Sequence, residues 1–176
     1  MFTQQNFFSD LSEPGRVLPN NRFAFFTLDR LNNGKFSQKP YHLEQMDFVL
    51  KHISKKNDTY MSQGFFQKPN RRAMHIQPMT HAFVDLDLYK LPDIPNIGNE
   101  AWAIRQFCSD NLIPEPSAII SSGRGVYLKW YWSNPIPRQA VGRAVAVNRS
   151  LVNFFSQWGS DPSCVDVSRV LRVVGT

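Results

Sequence analysis

Residues 82–88, Ala-Phe-Val-Asp-Leu-Asp-Leu, constrain this chain more than any other stretch. The run is short, apolar and β-prone, and two carboxylates interrupt it two positions apart. Side chains alternate along a strand, so Phe83, Asp85 and Asp87 share one face and Ala82, Val84 and Leu86 the other. Two acids on one face of a buried strand repel each other and resist desolvation. A divalent cation relieves both costs, and hard oxygen ligands select Mg2+ or Mn2+ over zinc. Two other readings stand beside this one: surface carboxylates at a strand end, and the Asp-x-Asp of a sugar-nucleotide glycosyltransferase.

A chain of 176 residues suits one domain, or a core domain with a small appended module. Hydrophobic residues make up 42% of it and include 14 Phe, which is enough to pack a core and excludes global disorder. The net charge of +6 favours an anionic partner. The sequence has no 18-residue apolar run and no signal-peptide pattern at Met1-Phe2-Thr3-Gln4, so a cytoplasmic protein without membrane association is expected. Cys108 and Cys164 lie far apart, and His42, His52, His75 and His81 form no metal-binding cluster, which points away from a zinc site.

The order of elements follows from periodicity and punctuation. Residues 1–20 show no period and read as an arm or loop. A compact apolar strand is expected over 22–28, followed by a turn at Asn32-Asn33-Gly34. Leu43, Met46, Leu50 and Ile53 predict an amphipathic helix over 41–54, and 59–66 reads as a strand. After the acidic strand and a Pro-rich loop comes a helix over 99–112, with Ala101, Ile104, Cys108 and Asn111 or Leu112 on its apolar stripe. Strands over 117–121 and 126–132 flank Ser122-Gly123-Arg124-Gly125 as a hairpin. A long helix over 138–157 buries Val141, Ala144, Val145, Leu151, Val152 and Phe155, and 167–174 supplies a last strand. The expected class is α+β. Residues 81–176 run β-α-β-β-α-β, a split-βαβ order, and residues 1–80 add a small N-terminal α/β module.

Three further segments carry candidate chemistry. Gly123 and Gly125 permit close approach of backbone to a phosphate, with Arg124 or Lys129 supplying charge, although a tight hairpin needs glycine in any case. Alternation from Gly125 puts Tyr127, Lys129 and Tyr131 on one face. Asp161 and Asp166 precede a strand bearing Arg169 and Arg172; such arginines serve either as ion-pair partners or as triphosphate contacts. Between Lys51 and Arg72, the cations Lys51, Lys55, Lys56, Lys68, Arg71 and Arg72 face Asp58 alone, with Phe65 and Phe66 among them. That interleave suits either a nucleic-acid surface or a solvated loop with core phenylalanines.

Together, Val84-Asp85-Leu86-Asp87, Ser122-Gly123-Arg124-Gly125-Val126-Tyr127 and residues 161–176 resemble the archaeo-eukaryotic primase and primase-polymerase superfamily. Its signature is hydrophobic-Asp-x-Asp, then small-Gly-x-Gly-x-His, then an Asp before a strand of the form R-x-h-R-h-x-G-T. The match covers the second half of the chain, and the basic stretch through Arg71 and Arg72 is similar to what precedes the first motif in plasmid, phage and mobile-element members. The resemblance implies an RRM-like catalytic core and template-directed nucleotidyl transfer in replication. It implies Asp85, Asp87 and Asp161 as ligands of two Mg2+ or Mn2+ ions about 4 Å apart, with Asp166 in reserve for the third carboxylate. Ser122, Gly123, Arg124, Gly125, Tyr127, Lys129, Arg169 and Arg172 would then bind the nucleoside triphosphate. Lys68, Arg71 and Arg72 would track a single-stranded DNA template, with Phe65 or Phe66 as stacking platforms.

The chain departs from the pattern in two places. Tyr127 stands where the family has histidine, and tyrosine carries no positive charge at neutral pH. The sequence ends at Gly175-Thr176, where relatives continue, so a catalytic domain of a longer replication protein is expected, with a helicase or further C-terminal domains as partners. A non-catalytic, primase-like initiator that binds origin or single-stranded DNA is the competing expectation.

Overall fold

The computed structural model describes residues 24–31, 33–53, 58–76, 79–91 and 100–173. The expectations for the N-terminal arm, Asn32, Lys55 and Lys56, the loop prolines and residues 174–176 lie outside them. The described residues form a mixed α+β structure with two antiparallel sheets.

The acidic strand, β4 (Met79–Leu86), is one edge of a three-stranded sheet of order β4-β6-β5, with β5 Ala118–Ser121 and β6 Val126–Ile136. β5 and β6 form the expected hairpin, and Gly123 takes a φ of +98° in its turn. Alternation holds. Register places Asp85 opposite Tyr127, Phe83 opposite Lys129 and His81 opposite Tyr131 on one face, while Val84 meets Leu128 and Ala82 meets Trp130 on the other. The second face is covered by helices. In our numbering these are α2 Glu100–Asp110 and α3 Val141–Phe154, while α1 Met46–His52 joins the same core cluster through Met46 and Leu50. Phe107 of α2 meets Phe154 and Phe155, and Phe155 in turn reaches Trp130. Ile104, Cys108, Val84, Leu86 and Leu128 are fully buried in the same cluster, each worth about 1.5–3 kcal/mol for a Val- or Leu-sized side chain. The stripe expected on α2 ends sooner than periodicity suggests: Leu112 lies beyond the helix at φ 56° and is 94% exposed.

The second sheet has the order β2-β1-β3-β7, from β1 Ala24–Arg30, β2 Phe36–His42, β3 Thr59–Ser62 and β7 Val170–Arg172. β2 was not expected. Its sequence, Phe-Ser-Gln-Lys-Pro-Tyr-His, is mostly exposed and lacks an apolar alternation, because the strand is an edge that pairs with β1 alone; an edge also tolerates Pro40. The helix that follows begins later than residue 41, after a single 3-10 turn at Leu43–Gln45, yet Leu43, Met46 and Leu50 are buried as its period requires.

The last strand corrects the expected topology. Residues 81–172 do run β-α-β-β-α-β, but β7 pairs antiparallel with β3 and leaves the β4 edge to other partners, so these strands do not close into one four-stranded RRM-like sheet. Pairing therefore crosses the boundary expected at residue 80. The two sheets face each other across a polar seam. Lys129 Nζ donates to Gln63 Oε1 at 2.6 Å, His81 Nε2 bonds the same oxygen at 3.2 Å, and the Arg172 N–H donates to the Tyr127 hydroxyl at 3.1 Å.

The free edge of β4 is satisfied by α3 and by the segment after it. Asn148, fully buried in α3, accepts from the Phe83 N–H at 3.2 Å and donates to the Cys164 carbonyl at 3.2 Å. Its spacing was the available signal, since Asn148 falls four residues from both Ala144 and Val152 on the apolar stripe. We expect Asn148→Ala to leave both backbone groups unpaired and to lower unfolding stability by about 1–3 kcal/mol per orphaned group in urea titrations. Asn148→Asp should restore less than half of it, because aspartate keeps the acceptor and loses the donor. An Asn148→Ala variant of unchanged midpoint would mean that solvent reaches this edge.

Candidate active site

Asp85 and Asp87 sit at the end of β4, and the chain after α3 runs directly alongside them. The Asp161 N–H donates to the Asp85 carbonyl at 2.8 Å, the Asp87 N–H donates to the Gly159 carbonyl at 2.9 Å, and Ser160 bridges Leu86 between them. Two glycines make the approach possible. Gly159 has φ 72°, and a Cβ there would stand 3.1 Å from the Asp87 carbonyl oxygen. On the opposite side, a Cβ on Gly125 would stand 2.0 Å from the Leu86 carbonyl oxygen. The close approach that Gly125 permits in this structure is thus to the acidic strand itself. Around it, Ser122 donates its N–H to the Gly125 carbonyl, Arg124 accepts from the Tyr89 N–H through its carbonyl, and the Arg124 side chain is exposed.

The result is three acids in electrostatic contact. Burial, with the charges of Asp87 and Asp161 added to it, pushes the Asp85 carboxyl up to about 7, against the opposing pull of Arg169 and Lys90. Asp161 goes the other way: burial raises it, but hydrogen bonding from Ser163 and the charge of Arg169 outweigh burial and hold it below the usual carboxylate value. Its oxygens accept from the Ser163 N–H at 2.9 Å and from Arg169 Nη2 at 2.6 Å, where it caps a short 3-10 helix at Pro162–Val165. Asp87 accepts from Lys90 Nζ at 2.5 Å. Lys90 was not foreseen; it stands three residues after an acid at a strand end, with no periodic context to mark it.

Asp166 takes no part in this group. Its carboxylate accepts from both the N–H and the hydroxyl of Ser168 at 2.8–2.9 Å, a local turn. Cys164 is fully buried beside Asp85, and burial pushes its thiol up to about 12, so no thiolate is available there near neutral pH.

The donor set of Asp85, Asp87 and Asp161 fits a hard divalent cation in chemistry: three carboxylates, one of them disfavoured as an anion by burial and by the charges of the other two. Among the described residues, however, no three carboxylate, imidazole or thiolate groups stand around one point. Asp87 is held by Lys90 and Asp161 by Arg169, and both pairs are partly exposed, with side-chain accessibilities of 57% and 22% for the first and 35% and 22% for the second.

The remaining site residues divide between the seam and the surface. Tyr127 is buried opposite Asp85, and burial together with the Asp85 charge pushes its phenol above the ordinary tyrosine value, so it stays neutral. Lys129 is 2% exposed and bonds to Gln63, which places it inside the seam. Arg172 bonds Asp58 at 3.3 Å and lies over the Tyr60 ring. Phe65 and Phe66 are core residues, 5% and 0% exposed, and Phe66 meets Phe26 edge-on at 5.1 Å; neither can serve as a stacking platform. Their apolar bulk, not the cations around them, decided their place. Arg71 donates to Gln38 at 2.9 Å and to the Ser168 carbonyl at 2.7 Å, while Lys68 and Arg72 are exposed.

Comparison with known proteins adds the following. No family model matches the chain. Over 149 residues, 85% of its length, the chain is 30% identical to a replication protein of Clostridium perfringens, and it spans 34% of that protein's length. Among solved structures, the catalytic domain of primase Repb' in complex with initiator DNA aligns over 86% of this chain and 68% of its own, with a TM-score of 0.46 and 14% identity. Among the described residues, no helix is long and apolar enough to cross a membrane.

The Asp85 shift has a signed consequence. The folded protein holds this proton up to about pH 7, the unfolded chain only to 3.8. Between those values the native state binds the extra proton, so the Asp85 contribution to stability declines as pH rises through the window, by about 1.4 kcal/mol per unit of displacement. We expect Asp85→Asn to be the more stable protein at about pH 8 and to lose its advantage near pH 4, by thermal unfolding followed with circular dichroism. Parallel pH profiles for both proteins would show that Asp85 ionises as a surface acid does.

Proposed function

We propose that this chain is the nucleotidyl-transfer domain of a primase or primase-polymerase that acts in replication of a plasmid or mobile element. The observation that carries the reading is the backbone contact that sets Asp161 against the Asp85–Asp87 end of β4, where the charges of the other two acids act on Asp85 and Arg169 bonds Asp161. The likeness to a replication protein of Clostridium perfringens supports the process, and this chain spans 34% of that relative.

In this reading Asp85, Asp87 and Asp161 hold Mg2+ or Mn2+, two ions in all. The metal, when bound, neutralises charge on the triphosphate and favours ionisation of a primer hydroxyl. The chain's own residues do the rest. Asp85 gives up its proton near neutral pH and completes a triply anionic cradle. Arg169 leaves Asp161 for a phosphate oxygen, an exchange of one charge-assisted bond for another. Arg172 holds its place through the backbone bond to Tyr127, so the tyrosine acts in positioning where the family histidine would supply charge. Nucleoside triphosphates and a single-stranded DNA template are the proposed substrates, and further domains or a helicase the proposed partners.

A second reading, a non-catalytic initiator that binds origin or single-stranded DNA, is favoured by one observation: both arginines are already paired, Arg169 with Asp161 and Arg172 with Asp58, and Tyr127 offers no positive charge. One assay separates the two. The protein is incubated with single-stranded template, labelled nucleotides and Mn2+ or Mg2+. The enzymatic reading expects extended product, and Asp85→Ala with Asp87→Ala should abolish it, a loss of at least about a thousandfold, while DNA binding is kept or strengthened. Absence of product from the wild type would falsify the enzymatic reading; synthesis that survives the double substitution would place the chemistry elsewhere.

A further inference from the structure

The open half of the four-stranded sheet carries an aromatic and cationic stripe. Arg172, Tyr60, Leu28 and Gln38 lie in one row across β7, β3, β1 and β2, and Arg30 opposite Phe36 forms part of the next row outward. All share one face. The inner part of that face is closed, since Phe26 packs against Phe66, Ile76 and Val167. The outer part is not. Phe36 is 53% exposed and meets the Tyr60 ring edge-on at 5.8 Å, and the Arg172 guanidinium lies 5.9 Å from the Tyr60 centroid. Arg71 reaches over this face, bonded to Gln38 on β2 and to the Ser168 carbonyl beside β7, and brings the exposed Lys68 and Arg72 with its loop. Asp58 stands among the cations and bonds Arg30 at 3.5 Å and Arg172 at 3.3 Å.

We infer that this face binds unpaired bases of a single-stranded nucleic acid, with Phe36 and Tyr60 as the stacking pair and Arg30, Arg71 and Arg172 toward the phosphates. The proposal rests on the nucleic-acid side of the function proposed above and places the strand on a surface that the basic 51–72 segment only borders. Three features select this occupant. Phe36 and Tyr60 present adjoining aromatic rings on one open face, and a base offers a flat apolar face to stack on them. The positive rim suits a polyanion, and arginine over an aromatic ring extends the stacking surface. The stripe is also tied to the acidic strand through the interior: Tyr127, paired across the sheet with Asp85, accepts from the Arg172 backbone N–H. A duplex keeps its base faces stacked internally and gains nothing from Phe36.

The test measures binding of the wild-type chain to fluorescein-labelled oligothymidine of about 20 nucleotides by anisotropy, without metal or nucleotide. Phe36→Ala should weaken binding about tenfold and leave the slope against salt concentration unchanged, whereas Arg30→Ala should lower that slope. Tyr60→Phe should bind as the wild type does and Tyr60→Leu should not, which separates loss of the ring from loss of fold. Phe48→Ala, at a still more exposed aromatic on α1, should have no effect. A wild type that fails to bind, or Phe36→Ala and Tyr60→Leu proteins that bind as tightly as the wild type, would overturn the proposal. A chain that binds through Phe36 but synthesises nothing keeps this inference and loses the enzymatic one.

Discussion

Two backbone hydrogen bonds across the free edge of β4 decide where this protein places its charge. Once the Asp161 N–H meets the Asp85 carbonyl and the Asp87 N–H meets the Gly159 carbonyl, an acid distant in sequence is forced into the neighbourhood of the Asp85–Asp87 pair. An unpaired edge in this position would leave buried amide groups without partners, so the geometry is maintained by the same requirement that maintains any sheet. Gly125 and Gly159 flank the strand because no side chain fits between it and the two segments packed against it. The electrostatic cost of the cluster is therefore a consequence of backbone satisfaction, and it falls mainly on Asp85, the most enclosed of the three.

The protein meets that cost by pairing outward. Lys90 takes Asp87, Arg169 takes Asp161, and Asp58 in turn takes Arg30 and Arg172 on the adjoining sheet. Each pair is partly exposed, so each is a modest interaction that a more highly charged ligand can displace. The seam between the sheets behaves differently. Lys129, His81 and Gln63 are buried in it, and their hydrogen bonds join β6 and β4 to the residue that follows β3. A cation in such a place is structural before it is anything else, because removing its acceptor would strand a charge in the interior.

Much of the fold could be read from periodicity. The hairpin of β5 and β6, the buried stripes of α1 and α3 and the alternation of β4 all follow from where apolar residues recur. Three features could not be read that way. β2 is an exposed edge whose pattern carries no apolar signal. Phe65 and Phe66 sit among lysines and arginines, and local composition weighs a stacking role and a core role equally; only the approach of Phe26 and Ile76 from elsewhere in the chain chooses between them. Asn148 looks like a flaw in an apolar stripe until the strand edge it serves is in view.

By itself, the sequence determined that an apolar strand carries Asp85 with Asp87 at its end, that a glycine turn precedes Tyr127, and that an acid and two arginines follow in order. Those statements depend on local chemistry, the period of a strand and the tolerance of a turn, which each segment carries within itself. Only the tertiary structure decided which acid joins the pair and what the arginines touch. Asp161 and Asp166 are five residues apart and chemically alike; one is placed on the edge of β4 and the other is closed by Ser168. Likewise β7 takes its place beside β3, which carries Arg172 over to Tyr60 and joins the acidic strand to the aromatic face of a second sheet. Pairing between distant strands is set by which edges remain unsatisfied after the core has packed, and no window of sequence contains that information.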